Sequence, residues 1–382
     1  MKVIFGADAI RPPFTGVGRY AWELATRLPA VSGVDEIRYL QDYRVGSVVP
    51  ELPGGNGMEP MRRMRRALLR SEVVVETYRI VSAFRQSRAL KSFDGYVYHG
   101  PNFYLPRCHL PCISTFHDLS IYKWSACHPT ERVRYMQKEL PLVLKRASQL
   151  IAVSEFTRRE VIEFFGWPSD RIRTVPLAAS SEFRPRTSVE TQSVLGQYAL
   201  AHGAYAFYAG SIEPRKNVNV LLSAYEKLPE AIRCRWPLVL AGYAGWGSET
   251  THARLEAGAR AGWVKYLGFV PDGHLPTLFS GSRLFCFPSL YEGFGLPILE
   301  AMASGVPVVC SNAASLPEVA GQACGQVEPD DVDGLSALMR QGLEDDAWRA
   351  QAIERGLDRA SAFSWDRTVA MTVDAYRATL EA

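Results

Sequence analysis

The run from Tyr291 to Pro307 reads Tyr-Glu-Gly-Phe-Gly-Leu-Pro-Ile-Leu-Glu-Ala-Met-Ala-Ser-Gly-Val-Pro, and it places Glu292 and Glu300 on either side of an expected helix start. Pro297 suits the opening of a helix, where its missing N–H is no loss, and Gly305 suits the exit. The unpaired amides of such a start, around Phe294, Gly295 and Leu296, attract phosphate. Glu300 falls about 4.5 Å along the helix axis from Pro297 at 1.5 Å per residue. Carboxylates beside an anion site serve better as acceptors for hydroxyl groups than as partners for phosphate. Phosphate flanked by hydroxyls describes a sugar nucleotide.

A second charged turn, Ser211-Ile-Glu-Pro-Arg-Lys-Asn217, follows an apolar strand-like run and opens a helix. Arg215 offers a planar fork and Lys216 a compact point charge, a combination suited to a diphosphate. Both segments fall after strand-like runs, where open α/β sheets hold their ligands.

On these residues the chain resembles the GT-B glycosyltransferases of the retaining family 4, whose E-x7-E motif Glu292 and Glu300 match with Gly-Phe-Gly-Leu-Pro between them and Gly-Val-Pro-Val-Val after. The resemblance runs over nearly the whole chain, including Val153-Ser-Glu-Phe-Thr-Arg-Arg-Glu160, Arg171-Ile-Arg-Thr-Val-Pro-Leu177 and Leu267-Gly-Phe-Val-Pro-Asp272. It implies two Rossmann-like doubly wound domains facing across a cleft. It implies that Arg215 and Lys216 clamp the leaving diphosphate with the amides of Phe294, Gly295 and Leu296, that Glu292 orients the donor sugar, and that Glu300 binds ribose. In Ile113-Ser-Thr-Phe-His-Asp-Leu119, His117 resembles the histidine that faces the donor sugar. In Thr15-Gly-Val-Gly-Arg-Tyr20, Gly16 resembles the loop glycine that lets backbone approach the donor, and the resemblance implies that Gly18 and Arg19 border the acceptor.

Similarity to bacterial mannosyl- and rhamnosyltransferases, carried partly by Gly-Val-Gly-Arg-Tyr20, implies transfer of mannose or D-rhamnose from a GDP-sugar to a lipid-linked glycan in O-antigen-type polysaccharide synthesis. No cofactor is implied, since the nucleotide-sugar is itself a substrate. A sugar-nucleotide epimerase of the same fold is the alternative within this architecture, and a non-catalytic sensor would bind the donor without turnover. Gly16, Gly18 and Ala21 also spell G-x-G-x-x-A, the form of an NAD-dependent oxidoreductase. A dinucleotide fingerprint wants its first glycine at the strand end, however, and nine residues separate Gly6 from Gly16. Asp331-Val-Asp333 fits the D-x-D form of metal-binding transferases, but it opens an apolar-periodic helix and reads as a cap. No metal is expected, because two cations and helix-start amides suffice for the diphosphate.

The elements that must hold these residues follow from size and periodicity. A chain of 382 residues exceeds one ordinary hydrophobic core. Alternating short apolar runs and helical stretches point to parallel doubly wound sheets. Strands are expected at 2–6, 96–99, 112–116, 150–153 and 173–175, and helices at 20–28, 131–147 and 155–165. After the turn-rich stretch from Pro176 to Pro185 the pattern restarts, with strands at 205–210, 238–242, 264–267, 284–287 and 307–310. Helices are expected at 218–228, 249–261, 275–280 and 332–343. The domains read as 1–180, on the acceptor side, and 187–362, binding the nucleotide-sugar, with residues 363–382 a closing helix implied by resemblance to cross back to the first.

With 47% hydrophobic and 22% charged residues, the composition is that of a soluble globular protein, and no apolar run approaches the roughly 20 residues of a membrane span. The first residues read as a strand and not a signal peptide, so a cytoplasmic location is expected. Seven scattered cysteines read as reduced thiols and match no zinc spacing. The net charge of +3 is unevenly spread: from Arg62 to Arg88 basic residues crowd a segment whose only acids are Glu72 and Glu76. Met61, Met64, Leu68 and Leu69 add an apolar stripe. This is the pattern either of a solvated helix on its own domain or of peripheral contact with anionic lipid at the inner face of a membrane. Nucleic acid is not expected, because the densest arginine run has no aromatic residues to stack on bases.

Overall fold

The computed structural model describes residues 1–10, 16–50, 81–82 and 84–381. The chain divides into two units, Met1–Pro176 with Trp365–Ala382, and Leu177–Ser364.

In the first unit seven strands form one sheet: β1 (Lys2–Gly6), β2 (Glu36–Gln41), β3 (Arg44–Gly46), β4 (Tyr96–Gly100), β5 (Cys112–Phe116), β6 (Gln149–Ala152) and β7 (Ile172–Thr174), in the order β3-β2-β1-β4-β5-β6-β7. All neighbours run parallel except β2 and β3, which are antiparallel. That hairpin was not legible in sequence. Its two central residues, Asp42 and Tyr43, both take positive φ (47° and 68°), the backbone of a type I′ turn made without glycine. β4 and β5 are buried along their whole length, as strands covered on both faces must be.

The helix Gly16–Arg27 starts four residues before the expected position and takes in Gly16 and Gly18. The first glycine of the G-x-G-x-x-A run thus opens the helix with nine residues between it and Gly6, where β1 ends, and not at the strand end that a dinucleotide fingerprint requires. Ser154 caps the helix Glu155–Phe165 by accepting from the amide of Thr157. The helix Trp365–Glu381 belongs to this unit: Trp365, Val369, Val373 and Tyr376 are buried, and Thr368 Oγ1 donates to the carbonyl of Pro176 at 2.7 Å.

A polar chain runs through this core. His99 Nδ1 lies 2.7 Å from the Tyr376 hydroxyl and its Nε2 2.9 Å from Thr115 Oγ1, which lies 2.9 Å from the Tyr20 hydroxyl. All four side chains are fully buried. The chain ties β4 and β5 to the first and last helices of the unit. Burial, with the neighbouring His117 adding to it, lowers the His99 pKa to about 3.

In the second unit six strands, β8 (Ala206–Ala209), β9 (Leu238–Ala241), β10 (Val264–Gly268), β11 (Leu284–Phe287), β12 (Val308–Ser311) and β13 (Gly325–Val327), form a wholly parallel sheet ordered β10-β9-β8-β11-β12-β13. The helix Ser188–Gln197 enters through a capping box between Thr187 and Glu190. In both sheets the strand order reverses direction beside the first strand, between β1 and β4 and between β8 and β11, and such switch points are where open α/β sheets hold ligands. Most of the basic segment from Arg62 to Arg88 lies outside the described residues.

A neutral buried histidine makes stability depend on pH with a known sign. The unfolded chain takes up a proton below about pH 6.5 and the folded chain does not until about pH 3, so stability falls with pH across that window by about 1.4 kcal/mol per unit. Denaturant titrations of wild type and His99→Gln at pH 7, 6 and 5 should show the gap between them shrinking by about half that amount from pH 7 to 6 and by close to the full amount from pH 6 to 5. A gap independent of pH would mean that His99 is not held neutral.

Candidate active site

β8 delivers the chain to Gly210, and the segment that follows makes a short turn, Pro214–Lys216, before the helix Val218–Glu226. β11 delivers its chain to Ser289, Glu292 and the helix Leu296–Ala303. Because β8 and β11 are neighbours at the switch point, Arg215 and Lys216 come side by side with Glu292 across 76 residues of sequence. Backbone bonds set the register: the amide of Leu290 donates to the carbonyl of Arg215 at 2.9 Å. Asn217, at φ 57°, donates from Nδ2 to the carbonyls of Pro288 and Pro329, fixing the turn from both sides.

The charges form one cluster. Lys216 Nζ lies 2.5 Å from Glu292 Oε1, and Ser289 Oγ donates to the same oxygen at 2.6 Å. Arg215 reaches Glu292 Oε2 at 3.4 Å, the Tyr291 carbonyl at 2.7 Å and Glu213 Oε1 at 2.7 Å. Lys216 is 9% exposed and Glu292 8%, so these charges sit largely out of water. Burial pushes the Glu292 carboxyl up, but the charges of Lys216 and Arg215 outweigh it and hold the group below the usual carboxylate range. Burial and then Arg215 lower the Lys216 pKa, and Glu292 works against that. Two cations face two carboxylates, so the cluster is neutral as it stands.

Beside it the helix start is built by Gly295 and Ser315. Gly295 is the N-cap at φ 113°, a conformation that demands glycine, and a Cβ there would also crowd Leu316 Cδ2 at 2.8 Å. Ser315 Oγ lies 2.8 Å from the carbonyls of Glu292 and of Phe294, pinning the loop between them. Phe294 is buried edge-on against Phe363, Leu296 opens the helix with Pro297 in its first turn, and Glu300 is half-buried one turn in. Arg215, Lys216, Glu292, Phe294, Gly295, Leu296 and Glu300 thus share one end of the second sheet.

His117 and Gly16 lie in the first unit. His117 follows β5, is buried, and sits 2.8 Å from the carbonyl of Pro101 through Nε2. A carbonyl can only accept, so Nε2 carries the proton and Nδ1 is the acceptor of the neutral ring. Burial lowers the His117 pKa, against the opposing effects of Pro101 and Asp118. Tyr20 of the helix that begins at Gly16 packs edge-on to His117 with ring centroids 5.1 Å apart.

Sequence reasoning assigned the cations to phosphate and the carboxylate to sugar, without expecting them to pair. It also passed over Ser289, Ser315 and Asn217 as site-building residues: isolated hydroxyls carry no spacing signal, and Asn217 is recognisable only by its left-handed turn. Asp331 accepts from the amide of Gly334 as a helix cap, and Asp333 is paired with Lys227. Among the described residues no three His, Cys, Asp or Glu side chains group as metal ligands would.

Two doubly wound parallel sheets, one with phosphate-type cations at its switch point, are the architecture of GT-B glycosyltransferases. Sucrose-phosphate synthase from Thermosynechococcus elongatus superposes with a TM-score of 0.70 at 19% identity, over 99% of this chain and 98% of that one. WaaG, a glycosyltransferase involved in lipopolysaccharide biosynthesis, does so at 0.69 and 17%, over 97% and 98%. Residues 14–182 match the family described as Glycosyltransferase Family 4 and residues 200–359 that of Glycosyl transferases group 1. The O-antigen chain mannosyltransferase B of Escherichia coli is 45% identical over 99% of this chain and 100% of its own length. The chain belongs to this family of GT-B glycosyltransferases and is an enzyme of glycosyl transfer.

Replacing Glu292 separates its two effects. Removing a partner from a buried pair costs about 3 kcal/mol of stability, and it also leaves the cluster with a net positive charge. Glu292→Gln should unfold more easily yet bind GDP several-fold more tightly by calorimetry. A GDP affinity that falls would show that Arg215 and Lys216 do not meet the phosphates. The stability contributed by Glu292 is present above the ordinary carboxylate pKa of about 4.3 and is lost as pH falls through the depressed value, so the difference in stability should close in acid.

Proposed function

We propose that the protein transfers mannose from GDP-mannose, with retention of anomeric configuration and without a metal, to the growing end of a lipid-linked O-antigen-type glycan. The observation that carries the reading is the pairing of Arg215 and Lys216 with Glu292 beside the helix start at Leu296. The choice of mannose rests on the mannosyltransferase relative, and GDP on the resemblance noted in the sequence.

Breaking the glycosidic bond to the diphosphate builds positive charge on the sugar ring and negative charge on the leaving phosphate. Arg215, Lys216 and the amides at Phe294, Gly295 and Leu296 meet the negative end, and being fixed in place they stabilise it without reorganising. As the diphosphate takes over the two cations, Glu292 is released from them and turns to the donor sugar's hydroxyls, while Glu300 takes the ribose. His117, neutral with its proton on Nε2, presents Nδ1 as an acceptor toward a sugar hydroxyl, and Gly16 leaves room for the donor. The leaving phosphate accepts the proton of the attacking hydroxyl as the new bond forms on the same face, so no separate protein base is required.

No helix among the described residues is long and apolar enough to cross a membrane. A lipid-linked acceptor nevertheless puts the work of a cytoplasmic enzyme at the inner face of a membrane, and the basic composition from Arg62 to Arg88 suits anionic headgroups, each basic residue near the surface adding about 1 kcal/mol.

Calorimetry should give GDP the tightest binding among GDP, UDP and ADP, and Lys216→Ala should lower the transfer rate by about 100-fold or more, the scale of losing a preorganised charge stabiliser. Preference for UDP would overturn the donor assignment. EDTA should leave the rate unchanged; a loss restored by manganese would overturn the metal-free mechanism. Product formed without acceptor and identified as an epimerised donor would replace transfer by epimerisation.

A further inference from the structure

Arg215 and Lys216 are anchored differently. Arg215 also reaches the Tyr291 carbonyl and Glu213 Oε1, both at 2.7 Å, so it keeps two anchors when Glu292 moves away. Among the described residues the Lys216 ammonium meets two groups: Glu292 Oε1 at 2.5 Å and the face of the Phe287 ring, whose centroid lies 5.2 Å away. Once Glu292 turns to the donor sugar, the ring remains.

A ring face suits that task. Its π electrons present partial negative charge to a cation within about 6 Å, and the attraction is strongest where water is excluded. Phe287 is fully buried beneath a lysine that is itself largely out of water, so little solvent competes. The ring has no net charge and no lone pair, and it leaves the three N–H donors of the ammonium to phosphate. An aliphatic side chain in its place would keep water from the ammonium and offer nothing in return.

The ring is itself fixed. Phe287 ends β11, in register with Cys310 of β12. It stacks on Tyr208 at 24° with centroids 6.0 Å apart and on Phe285 at 18° and 5.9 Å. Tyr208 and Phe285 are fully buried too, and the Tyr208 hydroxyl donates to the carbonyl of Ser211 at 3.1 Å. The next residue, Pro288, accepts from Asn217 Nδ2 at 3.0 Å. Two neighbours in sequence thus meet two others, Lys216 over Phe287 and Asn217 on Pro288. The asparagine bond fixes the backbone of the turn, and the ring fixes the tip of a lysine side chain that has many rotamers to lose.

We propose that Phe287 is a positioning residue for the diphosphate end of the donor: its ring face holds the Lys216 ammonium in place while Glu292 is exchanged for phosphate. The role rests on the reading that Lys216 meets the diphosphate. A cation kept in place through the exchange stabilises the leaving group without having to reorient.

The test alters the charge of the ring face and keeps its shape. Phe287 is replaced in the full chain by 4-fluoro-, 3,5-difluoro- and 3,4,5-trifluorophenylalanine, each fluorine drawing electron density from the face. Calorimetry near neutral pH then follows whichever of GDP, UDP and ADP binds wild type most tightly. Affinity should fall stepwise with fluorine number, by about tenfold over the series, or about 1.4 kcal/mol. Burial and then Arg215 already lower the Lys216 pKa, and a weaker ring face lowers it further. The loss of affinity in alkali, as the lysine gives up its proton, should therefore begin about one pH unit lower at the end of the series. Trifluorophenylalanine at Phe279, a buried ring of the same unit that touches no lysine among the described residues, should leave affinity unchanged. Flat affinity across the Phe287 series, with Lys216→Ala still weakening binding, overturns the role of Phe287 and leaves the diphosphate reading standing. Undiminished binding by Lys216→Ala removes that reading and the role of Phe287 with it. An equal loss from the Phe279 variant marks the effect as disturbed packing and overturns the role as well.

Discussion

The ion pair between Lys216 and Glu292 is the constraint on which the second unit's architecture turns. Two charges removed from water cost several kcal/mol each, and only close geometry with further hydrogen bonds offsets that cost. Here Ser289 supplies a hydrogen bond at the shared oxygen, Arg215 supplies a second cation, and Glu213 balances it. The consequence is that the loop after β8, the loop after β11 and the helix start at Leu296 are locked in mutual register. A neutral, self-satisfied cluster can hold two cations ready in a largely dry place, and exchanging one anion for another there requires less rearrangement than bringing charges in from solvent.

The two sheets share one winding order and use it differently. Each places the loops that follow its first and fourth strands in chain order, β1 and β4 or β8 and β11, beside one another at the reversal of direction. In the second sheet those loops bring arginine, lysine and glutamate together, which suits an anion whose charge grows during reaction. In the first they bring Asp8 and Asn102 to the rim of a cavity of about 210 Å³ that the Tyr98 phenol also lines. Backbone topology decides where a ligand can sit, and the side chains carried by the loops decide its chemistry, so fold alone does not define function.

The first unit pays for one buried polar chain with complete satisfaction of its groups. His99, Thr115, Tyr20 and Tyr376 each find a partner in the interior, and an interior of low polarity strengthens those bonds while it forbids an unpaired member. This chain joins residues from the first helix, β4, β5 and the last helix, so the final segment of the sequence is part of the core of the unit that begins it. Rigidity there supports the neighbouring His117, whose ring packs against Tyr20.

Much of this was readable from residues in order. Apolar runs marked every strand of both sheets that is buried on two faces, and the spacing of Glu292, Glu300 and the Gly-Phe-Gly-Leu-Pro segment marked the helix start. β2 and β3 were not readable, because Glu36, Arg38 and Gln41 dilute the strand signal and the hairpin turn uses Asp42 and Tyr43 where glycine would have announced it. Nor was the helix Asp346–Ser361, whose buried stripe is narrow among many charges. What the sequence by itself determined was residue type and local conformation, because caps, glycine turns and hydrophobic periodicity act over a few neighbours. Only the tertiary structure decided that Glu292 would neutralise Lys216, that His117 would carry its proton on Nε2, and that Asn102, Gln86 and Tyr98 would face one cavity. The Lys216–Glu292 pair joins residues 76 positions apart and the His117–Pro101 contact residues 16 apart, and it is the order of strands in the sheet that closes such distances.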